Sequence, residues 1–339
     1  MNRPRLLLLL LLVATPLRAD LLCTVGGVSD LDFGAVSPLE TLPTDVSASL
    51  TLTCQAERRD IQGPTGNTRD VTLCLSYDNG SAGASPGGNR QLLAGTEAAI
   101  YDLYTDTAYG PEHWGSRTGV PTGVVRQAGL SLVKPPPQVD NTDPVSVIVP
   151  VFARLFPNQN TLSPALYSSV LGLTVEAFWG SGPRAKTDCL PGDVPEQTLL
   201  ESQPVRVDYQ KECRVASVGA LDFGSSGLLT QALDASTSVS VACTVSTPFS
   251  IGLGPGSGAS VTDRRLTRQG SPAAQVSYGL YRDAARSQNW GNDTLGGSDT
   301  VNGTGSGSAM TFPIHGRVPS QDTPEPGEYR DLVTLTVVF

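Results

Sequence analysis

The sequence predicts an all-β protein built from two tandem copies of one domain. The first observation is an internal repeat, because Cys23 and Cys213 are each followed by Leu-Asp-Phe-Gly, at residues 31–34 and 221–224. The second is a composition with 36 glycines and many Ser, Thr and Val residues in short alternating runs, which is typical of strands joined by tight turns. No stretch has the apolar spacing of an amphipathic helix.

The repeat continues through the centre and the end of each copy. Tyr-x-Leu-Tyr-x-Asp at 101–106 resembles Tyr-x-Leu-Tyr-x-Asp at 278–283, and each is followed by Trp-Gly. Alternating segments also correspond and predict equivalent strands. The pairs are 47–54 with 237–243, 71–75 with 249–253, and 170–175 with 332–337. About seven short strands per copy indicate an immunoglobulin-like sandwich.

The N-terminus has the pattern of a secretory signal at residues 1–19. Arg3 and Arg5 precede a leucine run at 6–12, and Leu-Arg-Ala at 17–19 is an acceptable cleavage site. The apolar run is shorter than the roughly 20 residues that span a bilayer. We therefore expect an exported mature chain that starts at Asp20.

Export places the six cysteines in an oxidising compartment. The repeat selects the pairing, since two cysteines stand at equivalent positions in each copy and two remain. The expected bridges are Cys23–Cys54, Cys213–Cys243 and Cys74–Cys189. In the strand 71–75, Cys74 lies opposite Val71, Leu73 and Leu75, which predicts a bridge on the outer surface of the sandwich.

Several chemistries find little support in the sequence. A zinc site is disfavoured because there is no Cys-x-x-Cys pair and His113 and His315 stand alone. The net charge of −9 argues against nucleic-acid binding. The glycine-rich segments 252–258 and 303–307 neither open a helix nor carry a P-loop lysine, so they indicate turns. We therefore expect no metal and no cofactor.

The two copies differ in the sequence that follows their last matching strand. The first copy is followed by a tail, 180–212, that contains an alternating stretch at 204–209, whereas the second ends with its last strand. We therefore divide the chain into a signal peptide, a first domain, a linker or completing strand, and a second domain that lacks its last strand. The boundaries are 1–19, 20–200, 201–212 and 213–339.

The Cys-x7-Leu-Asp-Phe-Gly start, the Tyr-x-Leu-Tyr-x-Asp and Trp-Gly centre, and Gly-Glu-Tyr-Arg-Asp-x-Val-Thr-Leu-Thr-Val at 327–337 resemble the spore coat protein U domain. This domain is the pilin module of archaic chaperone–usher pili. The resemblance is specific in the second copy and looser in the first, and a two-domain member resembles a tip adhesin. It implies an incomplete sandwich that a donated strand completes.

The resemblance also implies partners and a location. The expected partners are a periplasmic chaperone, an outer-membrane usher, an adjacent pilin that donates a strand, and an abiotic or host surface, with biofilm formation as the outcome. The chain would pass through the periplasm to the pilus tip. The donor-strand groove would be lined by Val333, Leu335, Val337 and Phe339.

The surface-binding side chains are expected on apolar loops of the first domain, because exposed apolar loop tips are costly unless they contact something. The candidates are Val36, Leu39, Val120, Val124, Val125 and Val145. The competing interpretation of 145–149 is an ordinary strand, which its alternation favours at least as well for Val147 and Val149.

Three alternatives remain beside the tip adhesin. A minor subunit within the shaft would need an N-terminal donor strand of about ten residues, which 20–22 cannot supply before Cys23. A secreted coat or matrix protein is also compatible with the domain. An enzyme, such as a glycosidase with two carboxylates, is disfavoured because the recurring aspartates, Asp32 with Asp222 and Asp106 with Asp283, fit turn roles better.

Overall fold

The computed structural model describes residues 21–107, 109–110, 112–179 and 189–339. The predicted signal peptide, 1–19, and the predicted mature start at Asp20 lie outside these residues. The described part of the chain is all-β and forms two domains, as predicted; its one helical element is the single 3₁₀ turn Arg58–Asp60.

Ten strands form the first domain. They are β1 (Leu22–Gly26), β2 (Leu31–Val36), β3 (Thr44–Gln55), β4 (Thr68–Tyr77), β5 (Arg90–Ala94), β6 (Glu97–Tyr104), β7 (Arg126–Val133), β8 (Val145–Leu155), β9 (Leu166–Trp179) and β10 (Gln197–Tyr209).

Nine strands form the second domain. They are β11 (Cys213–Val218), β12 (Leu233–Cys243), β13 (Pro248–Leu253), β14 (Arg264–Arg268), β15 (Ser271–Tyr281), β16 (Val301–Thr304), β17 (Ala309–Val318), β18 (Tyr329–Arg330) and β19 (Leu335–Val338).

The first domain is a sandwich whose two layers belong to one curled sheet. One layer runs in the order β1-β3-β8-β6-β5, and the other contains β7, β4, β9, β10 and β2. The layers connect through a single pair, Leu93 of β5 with Ser168 of β9. Alternate residues of both layers fill the core, as Leu50, Leu52 and Cys54 of β3 show.

The second domain repeats this arrangement with two separate sheets. Its larger sheet has the order β11-β12-β17-β15-β14-β18, and its smaller sheet has the order β16-β13-β19. The larger sheet corresponds to the first layer of the first domain, and β13 and β19 correspond to β4 and β9. Among the described residues, β2 and β10 have no counterpart strands in the second domain.

The tail of the first domain forms a strand that completes its sandwich. The strand expected around 203–209 runs from Gln197 to Tyr209, so the proposed boundary at residue 200 falls within β10. β10 pairs antiparallel with β9 and parallel with β2. Its inward side chains Val205, Val207 and Tyr209 are buried in the first core.

The three disulfides have the predicted partners: Cys23–Cys54, Cys74–Cys189 and Cys213–Cys243. The prediction that Cys74 lies on an outer surface is wrong, because its side chain is fully buried. The strand does turn Cys74 away from the core, but Arg117 covers that face. Its guanidinium pairs with Glu176, which lies beside Cys74 on β9, and donates to the carbonyl of Leu190.

The predicted match of 71–75 with 249–253 is wrong by two residues. The amide of Tyr77 donates to the carbonyl of Gly115, and the amide of Leu253 donates to that of Gly291, which follow the equivalent tryptophans. Tyr77 pairs with Leu173 of β9. The equivalent of Tyr77 is therefore Leu253, and a two-residue error kept the inward face unchanged because the strand period is two.

Candidate functional site

The Leu-Asp-Phe-Gly motif has different neighbours in the two domains. In the first domain it forms β2, and Val205 and Arg206 of β10 pair with Leu31 and Asp32. In the second domain the same motif at 221–224 is not part of a described strand. Each motif aspartate accepts a hydrogen bond from its glycine amide, at 2.9 Å for Asp32 and 2.8 Å for Asp222. These are the turn roles that the sequence predicted.

An open groove therefore lies in the second domain where β10 lies in the first. Its walls are β19 on one side and residues 221–224 on the other. β19 pairs with β13 alone among the described strands. The Gly254 amide donates to the Thr334 carbonyl at 2.8 Å. Thr334 and every second residue after it therefore direct their backbone groups towards β13. The amides of Leu335 and Val337 then point to the open edge.

The groove is lined by apolar side chains. Equivalent residues of the two domains differ in exposure, because β10 covers them in the first domain only. Leu173 and Val175 of β9 are each 1% exposed beneath β10. Their equivalents Leu335 and Val337 are only partly buried, although they pack against the second core. Val333 behaves in the same way, and Phe339 is 48% exposed.

The opposite wall shows the same difference. Leu31 is fully buried and Phe33 is 7% exposed in the first domain. Leu221 and Phe223, their equivalents, are partly buried and pack at the border of the second core. Since the two domains share one fold, the added exposure in the second domain marks an unfilled strand position. Val333, Leu335, Val337 and Phe339, the residues predicted to line the groove, lie on or directly beside β19, the first of the two walls.

A buried polar pair that the sequence analysis missed lies inside the filled position of the first domain. The hydroxyl of Tyr77 donates to Oε1 of Gln203 at 2.5 Å, and Nε2 of Gln203 donates to the carbonyl of Ser29 at 2.8 Å. Burial raises the pKa of the Tyr77 hydroxyl, so it remains a donor. A glutamine at an inward position of an apolar strand was the available signal.

Two buried arginines were also missed, although they recur at equivalent positions. Arg90 donates to the carbonyls of Tyr77 and Trp114. Arg264 donates to the carbonyls of Leu253 and Trp290, both at 2.6 Å. Burial lowers the pKa of Arg264. Both arginines satisfy carbonyls where the chain turns at Trp-Gly, so their role is structural.

The six predicted surface-binding residues do not converge. Val36 is the last residue of β2 and packs against the first core. The carbonyl of Leu39 accepts a bond from Arg214 of the second domain, 3.3 Å, so this loop faces the domain junction. Val145 begins β8 and also packs against the core. Exposed loop tips were therefore wrongly predicted at Val36 and Val145, and Leu39 faces the second domain.

The remaining three candidates lie on one loop beside the second layer of the first domain. Val120 is 68% exposed. Val124 and Val125 are partly buried, and the amide of Val124 bonds to the carbonyl of His113 at 2.8 Å. Arg117 on the same loop donates to the carbonyls of Leu190 and Asp193. Exposed Leu190 and Val194 accordingly lie beside the loop that carries Val120.

The two insertions of the first domain meet at the end opposite the second domain. The Arg58 amide donates to the carbonyl of Asp140 at 2.6 Å, and the Lys134 amide donates to that of Asn67 at 2.7 Å. Nζ of Lys134 reaches the carbonyl of Gly63. We name this end, formed by residues 56–67 and 134–143 with the adjoining Val133, the distal end. Exposed Val133 and Val139 lie on it.

Contacts between the domains define the other end. Arg214 forms ion pairs of 2.6 Å with Glu40 of the first domain and with Glu212. The side-chain amide of Asn160 donates to the carbonyl of Gly307 at 2.8 Å. The β2–β3 and β8–β9 connections therefore contact the second domain. The distal end lies at the opposite end of the first domain.

No group of three or more His, Cys, Asp or Glu side chains among the described residues is placed to hold a metal ion. No helix in the same residues is long and apolar enough to cross a membrane.

Comparison with solved structures found this fold in a complex that contains a pilus tip subunit, and a further pilus protein matches more weakly. The CsuC–CsuE chaperone–tip subunit pre-assembly complex from Acinetobacter baumannii matches with a TM-score of 0.52 and 13% identity, over 93% of this chain and 100% of that chain. The CupB6 tip adhesin from Pseudomonas aeruginosa matches with a TM-score of 0.33 and 13% identity, over 93% of each chain. A comparison with curated proteins found no match.

The family comparison covers most of the sequence. The family model of the Spore Coat Protein U domain matches residues 10–174 and again residues 200–336. The two segments follow the internal repeat, with one match in each domain. The chain therefore belongs to the Spore Coat Protein U domain family.

Proposed function

We propose that this protein is the tip subunit of a chaperone–usher pilus, joined to the shaft by a strand that a neighbouring subunit donates to its second domain. The observation that carries the proposal is the open groove beside Leu335 and Val337, at the position that β10 fills in the first domain. Donated strands bind such edges through main-chain hydrogen bonds and alternate side-chain pockets.

The first domain supports a terminal rather than an internal position. β10 already fills its sandwich, so it offers no second acceptor groove. β1 lies in a sheet with β3, and Cys23–Cys54 crosslinks the two strands. β1 therefore cannot leave to complete another subunit, as a shaft subunit's donor strand must.

An open apolar groove with free edge amides is an aggregation hazard until it is filled. We infer that a periplasmic chaperone occupies this groove after export. An outer-membrane usher then transfers the protein to the adjacent pilus subunit. The structural relative from Acinetobacter baumannii was solved with its chaperone, which supports the chaperone part of this proposal. No catalytic step is needed.

Subunit position can be tested by gold-labelled antibodies against the first domain on pili produced with this protein. The proposal predicts one label at the free end of each pilus. Labels spaced along the shaft would support the minor-subunit alternative, and label confined to a matrix without pili would support the coat-protein alternative. Loss of all pili when the chain is deleted does not distinguish these, so label position is the measurement that counts.

The contact with a surface is proposed at the distal half of the first domain. Exposed aliphatic side chains of the first domain occur on two regions: Val120 and Val194 on the flank, and Val133 and Val139 at the distal end. The distal end faces away from the junction with the second domain. We infer binding to apolar abiotic or host surfaces, with biofilm formation as its consequence.

The adhesion proposal predicts that Val120→Ser, Val133→Ser and Val139→Ser together reduce attachment to plastic while pilus number stays normal. A matched control replaces three exposed leucines elsewhere, Leu42→Ser, Leu166→Ser and Leu295→Ser. Equal attachment by both triple variants, with normal pili, would exclude the distal half as the contact surface. Scarce pili in the first variant would instead show that these side chains are needed for folding.

A further inference from the structure

A buried hydrogen bond between two polar side chains, Tyr77 and Gln203, lies at the strand position that β10 fills in the first domain. Tyr77 and Gln203 are both 0% exposed and are 126 residues apart in sequence. Gln203 lies opposite Leu171 in the β9–β10 ladder, among inward residues that are otherwise apolar towards Tyr209. Both polar ends of the Gln203 amide have partners, so burial of the amide is tolerated here.

The second domain lacks half of this arrangement. Leu253 occupies the place of Tyr77, as shown by its pairing with Leu335 and by the bond from Arg264 to its carbonyl. A leucine side chain has no hydroxyl to donate. The backbone counterpart of Ser29 is Gly219, since both lie two residues before the repeated Leu-Asp-Phe-Gly motif. A glutamine in the empty groove would thus keep a carbonyl acceptor for its Nε2 but lose the donor for its Oε1.

We propose that Tyr77 and Gln203 are a specificity pair, which keeps β10 in the first domain, and that the groove of the second domain selects a donated strand with a large apolar side chain opposite Val333. Val333 is the equivalent of Leu171, so the selected position corresponds to Gln203. The inference rests on the proposed function, because it describes the strand that the groove accepts.

The size of the selected side chain follows from the same exchange. Leucine is smaller than tyrosine, so we expect the position beside Leu253 and Val333 to take a larger side chain than its counterpart beside Tyr77. A leucine, methionine or phenylalanine fills that position without an unpaired polar atom, whereas alanine would leave a void. The donated strand runs antiparallel to β19, as β10 runs antiparallel to β9.

The test fuses a strand to the full exported chain after Phe339, through a short Gly-rich turn. One fusion carries the β10 sequence 197–209, and a second carries the same sequence with leucine in place of Gln203. A third carries a scrambled sequence as the control. The readout is the denaturant midpoint of the second-domain unfolding transition.

We expect both native-order fusions to stabilise the second domain over the scrambled control, and the leucine strand to do so by a further factor of roughly 5 to 150 in the unfolding equilibrium. This is the range that corresponds to one buried unpaired polar group. In a Leu253→Tyr chain, the advantage of the leucine strand should shrink or reverse. Equal stabilisation by both strands would overturn the specificity pair while leaving the groove intact.

If neither fusion exceeds the scrambled control, the groove does not accept a strand, and the proposed function fails together with the inference. A second cycle within the first domain covers the case in which Leu253→Tyr prevents folding. Tyr77→Phe should destabilise that domain because it leaves Oε1 of Gln203 without its donor, and adding Gln203→Leu should recover part of the loss. Strictly additive effects of the two substitutions would overturn the coupling.

Discussion

Arg206 of β10 binds Asp32 of β2 through two hydrogen bonds to one carboxylate oxygen, at 3.0 and 2.9 Å. The contact joins the completing strand to the Leu-Asp-Phe-Gly motif across 174 residues of sequence. Asp222 stands at the same place in the second domain, beside the empty strand position. The Arg206–Asp32 contact on the surface therefore accompanies the filled strand position of the first domain, whereas Asp222 lies beside the position that is empty in the second domain.

The first prediction concerns this pair. The Arg206 side chain, followed by the amide of Gly34, holds the pKa of Asp32 below its usual value. Arg206→Ala should raise the pKa of Asp32 towards the ordinary value for aspartate, about 3.9. The first domain should lose a little stability at neutral pH, and the difference from the wild type should disappear as the pH falls through the folded pKa.

The measurement is a titration of the Asp32 carboxylate by NMR in both proteins. The matched control is Arg282→Ala, which removes an arginine of the second domain and should leave Asp32 unchanged. An Asp32 titration that is the same with and without Arg206 would show that the strand contact does not persist in solution.

The second prediction tests whether β10 completes the first domain. Val207→Asp places a charge at a fully buried position in the hydrophobic core and should destabilise the first domain by more than about 4 kcal/mol. The variant should aggregate or depend on a chaperone. Ser202→Asp, on the outward face of the same strand, is the control and should unfold like the wild type.

Urea unfolding followed by intrinsic fluorescence compares the three proteins. A cooperative first-domain transition in Val207→Asp at the wild-type midpoint would contradict the assignment of β10 to that core.

The third prediction concerns pH and Glu97. The hydroxyl of Tyr167, followed by the amide of Ser163 at 2.8 Å, lowers the pKa of the Glu97 carboxyl. A folded pKa below the unfolded value of about 4.3 means that Glu97 contributes stability above that pH. The contribution is lost as the pH falls through the folded pKa.

Glu97→Gln should therefore lower the urea midpoint of the first domain at pH 7 but change it less at pH 3. Glu201→Gln, an exposed residue of β10, serves as the control and should have little effect at either pH. A difference between wild type and Glu97→Gln that stays constant from pH 7 to pH 3 would exclude the linkage.

Local pattern and the internal repeat were sufficient for much of the fold. Alternation along β3 and β9 predicted strands, and two equivalent cysteine pairs left Cys74 to join Cys189. The repeat also located the missing strand. The alignment of β4 with β13 was predicted with an error of two residues, because a shift of two residues leaves the inward face of a strand unchanged.

Features that depend on distant contacts could not be predicted from local pattern. Val145 follows a proline and looked like a loop, but its pairing with Cys54 on β3 makes it part of a strand. Leu39 faces the second domain only because Arg214 reaches its carbonyl. The Tyr77–Gln203 pair joins residues far apart in sequence, and Gln203 alone gave only a weak signal.

The most direct test of an open groove in the second domain is residue-resolved amide hydrogen exchange on the full chain without added partners. The amides of Leu335 and Val337 should exchange rapidly, whereas those of Leu173 and Val175, covered by β10, should be strongly protected. Fusing a complementary strand after Phe339 should protect Leu335 and Val337 to a similar degree. Strong protection of both amides before any strand is added would contradict the account.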